Sequence, residues 1–104
     1  MSEFCLVTTT TGAPDLARQI ARALLEQQLA ACVQITPITS HFVWEGEVRE
    51  EAEQLLLIKA KSADYADLAA AIRKLHSYDV PEILKIDVAE GSADYLAWIR
   101  QTTR

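Results

Sequence analysis

With 104 residues, half of them hydrophobic, the chain can bury one core and is too short for two, so a single domain over residues 1–104 is expected. A formal charge of −5 and a pI near 4.9 leave no basic stripe to neutralise phosphates, which argues against nucleic acid and anionic membranes as partners. The opening "MSEFCLVTTT" has no basic n-region, its apolar run is short for a signal peptide, and no later run reaches membrane-spanning length, so a cytoplasmic protein is expected.

"FCLVTTT" (4–10) is short, β-branched and apolar, and reads as a buried strand ending at Gly12. In "APDLARQIARALLEQQL" (13–29), Pro14 suits a first helical turn, Asp15 faces the helix dipole, and Leu16, Ile20 and Leu24 recur on one face of an amphipathic helix. "ACVQI" (31–35) opens the next strand, which Pro37 interrupts and "TSHFVWEGEV" (39–48) resumes. Phe42, Trp44 and Val48 keep one parity around Gly46, which predicts a strand running through Gly46 and a hairpin turn in the polar run "REEAE" (49–53). "EQLLLIKAK" (53–61) returns as a strand, and Ser62 is a candidate cap for the helix "ADYADLAAAIRKL" (63–75). "EILKIDVA" (82–89) is a fourth strand, and Gly91 and Ser92 start a last helix on which Tyr95, Trp98, Ile99 and Thr102 share a face. Cys5 and Cys32 lack a CxxC spacing and lie in strand-like runs, which reads as buried free thiols.

The order β-α-β-β-α-β plus a C-terminal helix is that of an α+β, ferredoxin-like (split βαβ) fold with an antiparallel sheet and a long β-hairpin. At about 3.3 Å per residue, the extended run from Cys32 to Val48 spans roughly 50 Å. A compact domain of this size is only about 30 to 35 Å across, with a radius of gyration near 13 Å. The hairpin therefore overhangs its own core, and an unpaired edge bearing Phe42, Val43 and Trp44 calls for a closed homo-oligomer. A hairpin bent back at Pro37 and Gly46 is the alternative.

No Gly-x-Ser-x-Gly elbow occurs, and three glycines, at 12, 46 and 91, cannot build a Walker loop or a dinucleotide fingerprint, so an enzyme is not expected and no organic cofactor is implied. The chemistry-bearing stretch is "LHSYDVPEI" (75–83). On one reading, His76 closes a helix, Pro81 forces the chain extended, Asp79 shapes the turn and Tyr78 packs. On the other, His76, Tyr78 and Glu82 converge on Lys59 in a polar pocket. An imidazole and a carboxylate hold a transition metal only weakly, because a closed zinc site usually takes four ligands.

"LAACVQI" (29–35), "SHFVWEGEV" (40–48), "EQLLLIKAK" (53–61), "LHSYDVPEI" (75–83) and "YLAWI" (95–99) resemble, in order and spacing, the CutA divalent-cation tolerance family over nearly the whole chain. The resemblance implies a ferredoxin-like subunit in a tight homotrimer, similar in shape to the PII signal-transduction proteins. His76, Tyr78, Pro81 and Glu82 match the family's His-Pro-Tyr-x-x-Pro-Glu block with Ser77 in place of the proline, Trp44 and Gly46 match its Trp-x-Gly, and Lys59 matches its lysine. Phe42 stands where tyrosine is common, Ala60 where threonine is, and the first loop "TTTTGAP" lacks the cysteine proposed as a copper ligand elsewhere in the family. What the resemblance implies is a non-enzymatic trimer binding copper, zinc or a small ligand at inter-subunit clefts lined by Lys59, His76, Tyr78 and Glu82, with His76 as the metal ligand. Phe42, Trp44 and Trp98 would lie in the trimer interface. The alternative is a PII-like signalling or scaffolding trimer whose partner is another protein.

Overall fold

The computed structural model describes residues 2–104. Strand β1 (Phe4–Thr11) leads into helix α1 (Pro14–Glu26), the hairpin of β2 (Cys32–Trp44) and β3 (Glu47–Lys61), helix α2 (Tyr65–Leu75), strand β4 (Leu84–Asp87) and helix α3 (Ala93–Thr102). The sheet order is β2-β3-β1-β4 with every neighbouring pair antiparallel, the ferredoxin-like arrangement the element order implies. No helix among the described residues is long and apolar enough to cross a membrane.

Side chains alternate across a strand, so the β1–β3 register sorts the sheet into two faces. Cys5 lies opposite Ala60 and Val7 opposite Ile58; this face is sealed by Ile20 and Leu24 of α1 and Leu68 and Ile72 of α2. Thr8 and Thr10, opposite Leu57 and Leu55, belong to the second face. There α3 covers only one end, where Ile99 and Leu96 pack on Phe4, Ala31 and Val88. Leu84 and Ile86 on β4 are left 56% and 50% exposed.

The hairpin turns at Glu45–Gly46, not in "REEAE". Trp44 pairs with Glu47, so two residues make the turn, and both have positive φ, 51° at Glu45 and 78° at Gly46. That is the type I′ pattern, whose twist matches the flanking strands. The sequence misled because Glu45 stands where asparagine or aspartate usually marks such a turn. A two-residue turn also flips parity: Val48 pairs with Val43, on the face opposite Phe42 and Trp44. Arg49–Glu53 is consequently strand, paired to Phe42–Ile38, and Pro37 sits within β2 opposite Gln54, on an edge strand that tolerates its missing N–H. Ser62 likewise begins a single 3₁₀ turn (Ser62–Asp64), and its side chain makes no capping bond. Cys5 is buried and Cys32 half-buried, both free thiols. Burial is the main influence on the Cys5 thiol and raises its pKa.

β1 ends at Thr11 opposite Gln54, so the seven hairpin pairs from Ile38–Glu53 to Trp44–Glu47 have no third strand. At about 3.3 Å per residue this overhang is roughly 23 Å. It stretches the molecule to 44 × 26 × 22 Å and its radius of gyration to 14.2 Å.

Candidate ligand cleft

The overhang and the α2–β4 loop form the two walls of a cleft of about 810 Å³. Ser40, His41, Phe42, Trp44, Arg49, Glu51 and Glu53 line the hairpin side. Ser77, Tyr78, Asp79, Val80 and Glu82 line the loop side, and Thr10 lies between them.

α2 ends at Leu75, where His76 turns extended, Pro81 bars any later return to helix in the loop, and hydrogen bonds to β1 and β3 fix that loop. The helix closes as the His76 amide donates to the Ile72 carbonyl, 2.9 Å. The His76 ring turns away from the helix: Nε2 lies 2.7 Å from the Thr10 carbonyl, and the Tyr78 amide donates to Nδ1 at 3.1 Å. A carbonyl can only accept and an amide only donate, so the ring is the neutral Nε2–H tautomer with both nitrogens engaged. The ring packs against that of Tyr78, tilted by 49° with 4.7 Å between centroids.

Tyr78 then reaches across the end of β1 and donates its hydroxyl to Glu53 Oε2 at 2.8 Å. Continuing the β1–β3 register past Thr11 places Gly12 opposite Glu53. A Cβ on Gly12 would stand 3.3 Å from the Tyr78 hydroxyl, so the glycine leaves room for this contact. Burial, followed by the hydrogen bond and the charge of Glu53, pushes the Tyr78 phenol up to about 12. Glu82 accepts from the Thr8 hydroxyl at 2.8 Å, which anchors the start of β4.

Of the four residues expected in the cleft, Tyr78 and Glu82 line it, and His76 lies behind Tyr78 as its support. Lys59 is separate: its ammonium sits 5.5 Å from the Tyr95 ring centroid, under α3. Phe42 and Trp44 line the cleft on the overhang, while Trp98 is 5.5 Å from Tyr95 on α3. His41 pairs with Glu50 at 3.5 Å near the hairpin tip. Sequence reasoning missed Glu53, the carboxylate that receives Tyr78, because it lay where the run taken for a turn met the following strand, which left its face undefined. A two-residue turn at Glu45–Gly46 would have placed it on the same face as Phe42 and Trp44. Among the described residues, no three His, Cys, Asp or Glu side chains are grouped closely enough to hold a metal ion.

Comparison with known proteins places this geometry in a family. A family model described as "CutA1 divalent ion tolerance protein" matches residues 5–102. A divalent-cation tolerance protein CutA of Thermus thermophilus is 44% identical over 104 residues, 99% of each chain. The human protein CutA is 42% identical over 89 residues, 85% of this chain and 50% of its own length, so the chain spans about half of that relative. The solved structure of the divalent cation tolerance protein from Thermus thermophilus superposes with a TM-score of 0.94 at 43% identity, covering 97% of this chain and 99% of that one.

Proposed function

Since the chain belongs to the CutA1 divalent ion tolerance family, we propose that it works as a non-enzymatic, cytoplasmic homotrimer that binds a divalent cation or a small ligand at clefts near its subunit boundaries. The observation that carries this reading is the meeting of Glu53, Tyr78 and Glu82 in one cleft beneath an overhang that has no third strand. A two-stranded ribbon of this length is marginal alone, and its exposed Phe42 and Trp44 gain most from a neighbouring subunit. Leu84, Ile86 and Trp98 offer a second apolar surface for the same purpose.

For a divalent cation the first ligands are carboxylate oxygens, Glu82 and Glu53, since copper and zinc accept such donors alongside imidazole. His76 joins them only by giving up one of its two hydrogen bonds, most directly the one its unprotonated Nδ1 accepts from the Tyr78 amide, and a neighbouring subunit would supply any further ligand. The commitment of both His76 nitrogens is also what favours a second reading, a PII-like signalling or scaffolding trimer in which metal binding is incidental.

Calorimetric titration of copper and zinc into the protein, His76→Ala and Glu82→Gln, each checked by light scattering, tests the proposal. Three-chain particles with saturable binding that either variant weakens support it. Binding indifferent to both substitutions removes the metal from the cleft, and a monomer removes the trimer.

A further inference from the structure

The cleft contains a charge that the subunit does not balance. Glu53 is only 7% exposed, and its Oε2 is held by the neutral Tyr78 hydroxyl. Among the described residues its Oε1 carries no hydrogen bond, and no lysine, arginine or histidine comes within ion-pair distance of it. The phenol compensates Oε2, while Oε1 keeps its contact with solvent in the cleft, so a donor that enters the cleft can reach it and replace that water. Glu51, Asp79 and Glu82 add further negative charge to the same lining, against Arg49, which pairs with Glu47 at 3.8 Å, and His41, which pairs with Glu50 at 3.5 Å. The site is thus set against anions.

Three features separate the cation it fits from a bare metal ion. It is a groove of about 810 Å³ that is open to solvent on one side, far wider than a bare metal ion needs. Its carboxylates are spread along two walls and do not converge as a three-ligand group. Its hairpin wall carries Phe42 and Trp44, 37% and 42% exposed, and ring faces attract organic cations while covering an apolar stem.

We propose that the cleft takes an organic cation, an ammonium group on an apolar stem, with Glu53 as its charge partner and the Phe42 and Trp44 rings against the stem. The inference rests on the reading of this cleft as a ligand site and names the class of ligand. The ammonium donates to Glu53 Oε1, leaving the Tyr78 hydroxyl on Oε2, while the stem lies against the cleft-facing side of the rings, beside the contact a neighbouring subunit would make.

The test is calorimetric titration of phenethylamine, and of phenylethanol as its neutral counterpart, at neutral pH. The same titrations are made with Glu53→Gln and Trp44→Leu, with zinc titrated in parallel and assembly checked by light scattering. Glutamine keeps an acceptor for the Tyr78 hydroxyl, and Trp44 lies at the hairpin tip outside the core, so both variants are expected to fold. The amine should bind saturably and at least about tenfold more tightly than the alcohol, a difference of about 1.4 kcal/mol. Glu53→Gln should abolish that preference, and Trp44→Leu should weaken both ligands. Equal binding of amine and alcohol, or a preference that survives Glu53→Gln, overturns the inference. Zinc binding lost in Glu53→Gln without amine binding overturns it too, yet leaves the proposed cation function standing. Amine binding without zinc binding supports it and removes the metal.

Discussion

Replacing Tyr78 with phenylalanine deletes the hydroxyl that reaches Glu53 and leaves the ring on His76 in place. A hydrogen bond to a charged group contributes about 1.5–3 kcal/mol, because losing it strands a buried acceptor. Glu53 is buried but Tyr78 is 40% exposed, so water reaches the donor side and the expected loss falls in the lower half, about 1.5–2 kcal/mol. The assay is guanidinium denaturation at one fixed chain concentration, since self-association shifts apparent stability. A loss below about 0.5 kcal/mol, the size of an ordinary surface substitution, would refute the idea that Glu53 depends on this bond. Adding Glu53→Ala, which removes the acceptor, closes a double-mutant cycle, in which a coupling near zero would refute it equally. Alkaline pH probes the bond independently. The folded phenol holds its proton up to about 12, above the ordinary value of about 10. The unfolded chain therefore loses this proton first, and the contribution of Tyr78 is complete below about pH 10 and disappears as pH rises towards 12. Phenolate absorbance should show a late-titrating phase that Tyr78→Phe removes.

The hairpin turn supplies a prediction of opposite sign: Glu45→Asn, which creates an Asn-Gly type I′ pair, should stabilise the protein by about 0.5–1 kcal/mol in the same denaturation assay. Gly46→Ala should cost about 1 kcal/mol even though nothing lies within 4 Å of its Cβ position, because φ is +78° there. Leu56→Ala, at a fully buried position between the sheet and the helices, should cost about 3–5 kcal/mol by thermal or denaturant unfolding. Replacing Phe42 and Trp44 together with serine should weaken self-association on dilution, read by light scattering, while far-ultraviolet circular dichroism stays unchanged; an unaltered assembly would take the overhang out of the interface.

Alternation of apolar runs, the Leu16–Ile20–Leu24 stripe and the stop at Pro81 were enough to place four strands and three helices in the right order. These are local signals, and strand and helix periods differ enough for a sequence to display them. The overhang was legible for the same reason, since strand length follows from residue count. The sequence also marked out Tyr78 and Glu82, which face the cleft from a loop whose direction Pro81 helps to set.

Only the tertiary structure decided the partners of those residues. The position of the turn depended on whether Glu45 would accept a positive φ, which the pairing of the whole hairpin enforces and no local propensity reveals. Once the turn fell at Glu45–Gly46, pleat parity brought Glu53 to the cleft face, opposite the position of Gly12, where the Tyr78 hydroxyl meets it. The same long-range pairing gave both His76 nitrogens hydrogen-bond partners and set Lys59 beside Tyr95. Thr10 and His76 are 66 residues apart, and only the docking of the α2–β4 loop against the end of β1 brings them together. Strand identity is thus encoded in each segment, whereas the composition of the cleft follows from register and docking, which arise when the segments pack.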